Sequence, residues 1–499
     1  MKLSKRIFTV LLAALLLLLP LQAAAAVAQP CPIIQVHGFM AQPILADKND
    51  PDSAVLFPPD VNGILSTVSK ALPGIAGALT LQNWETLGDC LSDAAGAILS
   101  PVFLSDDGTV PDNSGVYYVY PKAETISKNS TLDFFYDWRC DPIEIAAELD
   151  DFVNYVCAAA GTDRVSISAH SLGGVITLTY LTLYGYEKVR AVCFNASAVF
   201  GETYNGELMN GKVAFHGAAF DSFLRFALDG TDAEALLNGL MDLLKKAGIF
   251  DLVASLGNKL VEKELDAIAP RVLLPLFANW LTIWSMIPDD AIDGAMAYVF
   301  GGYYKGERYA ALREKVEAYN RLVRAKKAET LQALNEHASV YVLSRYGYSS
   351  IPLTPSYQSL GDGNIDAKYS SFGATTAPFG AQLPAAYLET VAPAYISPDK
   401  TIDASTCMFP QQTWFIRNMK HSLSAPSIRT FIATLLNYDG QATVETFAEY
   451  PRFLQYDEKT DTLSPDTVTP APTVFEKLRA MWHELIALLR RLFAKIKAS

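Results

Sequence analysis

Positive charge is scarce in this 499-residue sequence: 40 Lys and Arg stand against 53 Asp and Glu, a formal net charge of −13. Nucleic acid is bound through clustered cations, so this balance excludes it as an expected partner. Cysteine and histidine are also few, six of each. Cys31, Cys90, Cys140, Cys157, Cys193 and Cys407 form no C-x-x-C pair, which argues against zinc and thioredoxin-like redox sites. No ligand cluster at metal-binding spacing occurs, so neither a metal nor another cofactor is implied. Internal repeats are absent, which excludes a repeat architecture.

Long apolar runs are confined to the start of the chain. Lys2, Lys5 and Arg6 precede the apolar run Ile7–Leu19, followed by LQAAAAVAQ. A basic start, a short apolar stretch and A-x-A spacing predict a secretory signal over residues 1–28, cut after Ala26 or Ala28. The run falls short of the roughly 20 residues a membrane span needs. Further on, Leu273–Leu281 comes nearest to a span and is interrupted by Pro275 and Asn279. The expectation is a secreted or extracytoplasmic protein in which disulfides are possible, with pairing not legible from spacing.

What the chain has in quantity is apolar material, half of all residues. That suffices for a large core, in one big domain with insertions or in two or three domains. Over residues 29–200, strand-like and helix-like patterns alternate. PIIQV (Pro32–Val36) and LDFFYDW (Leu132–Trp138) read as strands, and DPIEIAAELDDFVNYV places Ile145, Leu149, Phe152 and Val156 at helical spacing. RVSIS, the helix GGVITLTYLTLYG and the strand VRAVCFNAS follow. Such alternation predicts an α/β fold with a mostly parallel sheet. Residues 201–335 read as a mostly helical insertion, a cap or a second packing layer. Strands return in the second part of the core, 336–445, at SVYVLSRYG (Ser339–Gly347) and QTWFIRN (Gln412–Asn418), with a last helix PSIRTFIATLLN. Residues 459–473, rich in Pro, Thr and Asp, read as a flexible linker.

Chemistry concentrates at VSISAHSLGG. A serine hydroxyl needs a histidine base, an orienting acid and backbone donors for the oxyanion. The sharp strand-to-helix turn that exposes such a serine requires small residues two before and two after it. Ala169 and Gly173 meet that demand around Ser171, between an apolar strand and a helix. In this context the acid and histidine follow the serine in chain order. His37 and His170 precede it, His216 and His337 lie in or at the end of the helical block, and His483 lies in the tail. His421, in FIRNMKHS after a late strand, remains as the base. Asp362 in Leu-Gly-Asp-Gly-Asn is the favoured acid, since a glycine-flanked turn exposes a carboxylate; Asp366 is the reserve, and Glu389, Asp399 and Asp403 are also available. The oxyanion donors expected are the N–H groups of Leu172 and of Phe39, the latter in the His37-Gly38-Phe39 loop after the first strand. Asp137 and Arg139 read as a structural pair.

VHGF, FFYDWR (Phe134–Arg139), AHSLGG, LGDG and NMKHS occur in an order that resembles lecithin:cholesterol acyltransferase-like lipases and acyltransferases of the α/β-hydrolase superfamily. The likeness spans roughly residues 31 to 440, loosely in the cap and sharply at the motifs. It implies a central sheet with a helical cap, acyl-lipid substrates, and Ser171, Asp362 and His421 as nucleophile, acid and base. Two positions depart from the family pattern: Ala169 opens the elbow, and GDGNI stands where GDGTV is usual. Neither removes a catalytic group.

For substrate binding, the expectations are Trp280 and Trp284 in the aromatic patch LFANWLTIWSMIP, and Trp138 in the DWR segment, although all three also suit core packing. The tail 474–499 carries Phe475, Leu478, Trp482, Leu485, Leu489, Leu492 and Ile496 on one helix face, with Lys477, Arg479, Arg490, Lys495 and Lys497 along its borders. A basic amphipathic helix on a linker predicts an anchor for anionic lipid surfaces, with helix–helix contact as the rival. The expectation for the whole chain is a secreted serine hydrolase of lipid acyl esters, or an acyltransferase. The alternative is a catalytically silent lipid- or partner-binding protein on the same scaffold. Oligomeric state is not legible.

Overall fold

Side chains alternate across a strand, so a sheet covered on both faces sorts its residues into two cores. That sorting is visible in the computed structural model, which describes residues 30–217, 219, 241–242 and 244–467. The segment 1–28 expected as a signal, residues 468–473 of the expected linker and the segment 474–499 expected as a basic helix lie outside the described residues. Eight strands form one sheet: β1 (Ile33–Val36), β2 (Thr131–Phe134), β3 (Val165–His170), β4 (Val189–Asn195), β5 (Ser339–Tyr346), β6 (Thr413–Arg417), β7 (Phe453–Asp457) and β8 (Thr462–Pro465). Their order is β8-β7-β6-β5-β4-β3-β1-β2, and every pairing is parallel except β7 with β8. Ile34, Val36, Val192, Phe194, Val340 and Val342 face one core, while Ile33, Ala191, Cys193, Tyr341, Leu343 and Ile416 face the other. The chain is thus an α/β protein, as its alternation predicts.

Nine helices carry the argument: α1 (Val61–Leu81), α2 (Trp84–Leu99), α3 (Pro142–Ala160), α4 (Leu172–Tyr184), α5 (Ile249–Ile268), α6 (Leu281–Ser285), α7 (Ala310–Leu322), α8 (Lys327–His337) and α9 (Pro426–Leu436). The start of α3 follows from its sequence. Asp141 accepts the Ile143 N–H at 2.9 Å, Pro142 fills the first turn without needing a donor, and Gly161 at φ 62 ends the helix. Ile145, Leu149, Phe152 and Val156 are all buried. The next helix, α4, is apolar nearly all round because it runs between the sheet and α3 and α8. On the opposite face, α9 covers β3 and β4.

Three segments depart from the sequence expectation, one of them in two ways. The strand expected over Leu132–Trp138 ends at Phe134. Tyr136 donates to the His37 carbonyl at 2.6 Å and the Trp138 indole donates to the Gln42 carbonyl at 3.0 Å, so this stretch turns away to bind the loop after β1. The linker expected from 459 already contains β8, an edge strand whose following residue, Asp466, is buried and held by Arg417 at 2.9 and 3.0 Å. Thr462 to Pro465 pair only with β7, which an edge strand with a terminal proline permits. The helical hairpin α1–α2 interrupts the first part of the core and leans on α5 and on the segment Ala269–Leu273 that follows it, where Arg271 pairs with Asp89 and Asp93 at 2.5 and 2.6 Å. Finally, among the described residues one helix, Asn62–Leu81 within α1, is long and apolar enough to cross a membrane by length and composition, against the expectation that no run after the first qualifies. Its Ala, Gly, Ser and Thr, with Pro73 inside, disguise that in the sequence, and most of it is solvent-exposed.

Candidate active site

In the sheet order, β1 lies between β2 and β3, so the chain steps to opposite sides of β1 in succession. The carboxyl ends of strands at such a switch point are where open α/β sheets place their sites. Here those ends lead into His37-Gly38-Phe39 after β1 and into Ser171 after β3.

Ser171 stands between β3 and α4 at φ 58 and ψ −126, a conformation that side chains other than glycine seldom adopt. Three contacts hold it there. Its N–H donates to the Asn195 carbonyl at 3.2 Å, and its own carbonyl accepts from Gly174 at 3.0 Å and Ala198 at 3.2 Å. The small neighbours are required: a Cβ on Gly173 would collide with the Val36 carbonyl oxygen. Ala169 is fully buried between Val36 and Phe194 in register, so its methyl is accommodated there.

His421 reaches Ser171 from the loop after β6. Its Nε2 lies 2.9 Å from Ser171 Oγ, and its Nδ1 lies 2.8 Å from Asp362 Oδ2. Asp362 is fully buried in the turn after the short strand Leu360–Gly361, between β5 and β6, where its Oδ1 accepts the N–H groups of Asn364 at 3.0 Å and Ile365 at 2.7 Å. Facing a carboxylate, Nδ1 carries the proton, which leaves Nε2 free to accept from the serine hydroxyl. The main chain adds a further tie, from the His421 N–H to the Asp362 carbonyl at 3.0 Å. Asp366 is turned elsewhere, accepting the Thr203 N–H at 2.8 Å.

Gly38 carries the first loop past the serine so closely that a Cβ on it would sit 2.7 Å from Ser171 Cβ. Phe39 follows at once, its ring 4.5 Å from Trp138 and 5.8 Å from Trp280 between centroids. Leu172 is the first residue of α4, so its N–H has no intrahelical acceptor. A cavity of about 770 Å³ opens over this group, lined by Gly38, Phe39, Met40, Ser171, His421 and Leu423 among others. The three tryptophans expected at the substrate do not line it. Trp138, Trp280 and Trp284 are buried, with indole N–H groups bonded to the carbonyls of Gln42, Val102 and Ala278 at 3.0, 3.1 and 2.8 Å. Trp138 and Trp280 meet edge to face at 5.2 Å. Trp138 and Trp280 pack beneath Phe39 while Trp284 stacks on Phe300, so all three lie in the core behind the cavity wall. Asp137 and Arg139 do pair, at 2.6 and 2.9 Å, with the guanidinium fully buried.

Two residues that sequence reasoning passed over stand beside the triad. The His170 ring lies 4.9 Å from that of His421, and its Nε2 donates to the His421 carbonyl at 3.1 Å. Burial, reinforced by His421 and Arg345, pushes His170 well below the usual imidazole range, so it is a neutral donor. Arg345 is the other; the only signal in the sequence is a charge inside the apolar strand VYVLSRYG. Among the described residues, no group of three or more His, Cys, Asp or Glu is arranged to hold a metal ion. All six cysteines are unpaired.

No family model matches this chain, and no curated protein matches it. Among solved structures, a chain of the Tle4-Tli4 complex aligns at 13% identity and a TM-score of 0.20, over 37% of this chain and 48% of that one. The match thus spans about half the length of that chain, and a superposition of this size bears on neither fold nor function.

Proposed function

We propose that this chain is a serine hydrolase of the α/β-hydrolase type that acts on acyl esters through an acyl-enzyme. The observation that carries this is the Asp362–His421–Ser171 relay, with links of 2.8 and 2.9 Å, ending on a serine held at φ 58 between strand and helix. Ser171 Oγ attacks the ester carbonyl while His421 Nε2 takes its proton. Asp362 steadies the imidazolium, and the N–H groups of Leu172 and Phe39 receive the oxyanion. Collapse expels the alcohol, which takes the proton from Nε2. Water or a second alcohol then enters along the same path, so hydrolysis and acyl transfer differ only in the acceptor.

The substrate class follows from the resemblance to lecithin:cholesterol acyltransferase-like enzymes and from the apolar part of the cavity wall, Phe39, Met40, Leu423 and Ile428. We place lipid acyl esters first. Secretion and attachment to lipid surfaces through the basic tail belong to the same proposal. A fluorophosphonate probe on wild type and on Ser171→Ala tests the chemistry: labelling of wild type alone is expected, and labelling of both or of neither would sink it in favour of a silent binding protein. Product analysis with a defined phospholipid, with and without an alcohol acceptor, separates hydrolase from transferase.

A further inference from the structure

A buried guanidinium without an acidic partner needs a physical reason, because removing a cation from water is expensive unless its donors are all met. Arg345 is such a group. It sits near the end of β5 at 2% exposure, and among the described residues no carboxylate forms an ion pair with it. Main-chain oxygens take that place: Nη1 lies 2.9 Å from each of the Lys420, His421 and Leu423 carbonyls. Nε donates to Asn195 Oδ1 at 3.2 Å, and Asn195 is the residue whose carbonyl receives the Ser171 N–H. One side chain therefore joins the loop bearing the base to the strand that holds the nucleophile.

We infer that Arg345 is a positioning residue for His421, fixing the 420–423 main chain so that the imidazole meets Ser171 and Asp362 together. This rests on the serine-hydrolase reading, and it adds a group that bonds to none of the reacting atoms, although it reaches the cavity wall beside His421. Three observations support it. The oxygens it binds belong to residues 420, 421 and 423, so the contact spans the loop rather than one end of it. The His421 carbonyl is shared with His170 Nε2, which places the clamp directly on the base's own peptide. Burial lowers the guanidinium to about 10, partly offset by Asp362, so the group stays cationic at neutral pH and its bonds keep their charge assistance. A neutral isostere would leave the Lys420 and Leu423 carbonyls without this donor and the His421 carbonyl with His170 alone.

The test uses full-length Arg345→Lys, Arg345→Met and Arg345→Ala. Steady-state kinetics on a soluble p-nitrophenyl ester are read beside amide hydrogen exchange and thermal melting. For Arg345→Met, kcat is expected to fall on the order of 10²-fold with KM changed less than about threefold, since the base is misplaced while the apolar wall at Phe39, Met40 and Ile428 stays in place. Exchange of amides 418–425 is expected to quicken at least about tenfold while the sheet stays protected. Arg345→Lys should fall between the two, and added guanidinium should restore part of the Arg345→Ala rate. Wild-type exchange over 418–425 in the Met variant, or a rate loss matched by uniform loosening of the sheet, overturns the inference. If wild type itself shows no Ser171-dependent turnover, the hydrolase reading falls, while the exchange measurement still decides whether Arg345 holds the loop.

Discussion

Replacing Asp362 by Asn removes a charge while preserving a shape, and the surrounding donors dictate what the new amide must do. Asp362 Oδ1 accepts two backbone N–H groups, from Asn364 at 3.0 Å and Ile365 at 2.7 Å. Only an oxygen can accept both, so the amide oxygen must occupy that position. The NH2 group is then turned to where Oδ2 stood, 2.8 Å from His421 Nδ1. Two donors cannot share that contact. His421 must present a lone pair at Nδ1 and carry its proton on Nε2, which faces Ser171 Oγ at 2.9 Å and can no longer accept. The base is lost through its tautomer, and the stabilisation of the imidazolium is lost with the charge. In serine enzymes the equivalent change lowers kcat on the order of 10⁴-fold, about 5.5 kcal/mol of barrier. The assay is kcat for a soluble ester at pH 7 to 8, with the fluorophosphonate labelling rate of Ser171 and a thermal melt on the same sample. A folded variant whose kcat stays within about tenfold of wild type would refute the relay.

Three further outcomes follow from other parts of the molecule. Gly38→Ala places a methyl 2.7 Å from Ser171 Cβ and 3.1 Å from its Oγ, so labelling of Ser171 should slow by about 10²-fold with little change in melting temperature; an unchanged rate would count against the close approach. Glu202 is fully buried, and burial raises its carboxyl from 4.5 to about 8, opposed by Tyr204 and reinforced by Asp366 and Asp362. The folded chain therefore keeps a proton that the unfolded chain releases, and stability falls as pH rises from about 4.5 through about 8, by up to about 5 kcal/mol. Glu202→Gln should flatten that decline in urea titrations at pH 5, 7 and 9 while still accepting from Asn205; identical slopes in both proteins would sink the assignment. Truncation after Thr473 should leave turnover of soluble esters intact and reduce binding to anionic vesicles, and undiminished binding would end the anchor proposal.

The triad was legible because its demands are local and ordered. Small residues flanking a serine between strand and helix are a packing requirement, visible in Ala169 and Gly173 without knowledge of the rest. Chain order then left His421 and a short choice of acids. What stayed hidden depends on contacts between distant segments. Trp138, Trp280 and Trp284 have the composition of an acyl-chain wall, and only the carbonyls at Gln42, Val102 and Ala278 show that their indoles are satisfied inside the core. The α1–α2 hairpin hid because Ala, Gly, Ser and Thr dilute its apolar periodicity. β8 hid because Thr, Ser and Pro are common in linkers, and its partner strand and the Arg417–Asp466 contact are what make it a strand.

Arg345 shows the same limit at the site itself. Within VYVLSRYG its charge breaks an apolar strand, and from one strand alone that break has no interpretation. Its meaning lies in the loop 75 or more residues later, whose carbonyls turn towards it. A conflict between a residue and its local pattern is tolerated where the surrounding structure compensates, and such places gather at functional sites. Ser171 at positive φ, buried Arg345 without an acid and neutral His170 are three conflicts of this kind within one group of contacts. Main-chain partners meet all three: Asn195 at the end of β4 and the first turn of α4 hold Ser171, and the 420–423 loop after β6 receives both Arg345 and His170. The convergence of these compensations on one serine argues for catalysis more strongly than the pentapeptide A-H-S-L-G, because a chance strand-to-helix turn would have no need of them.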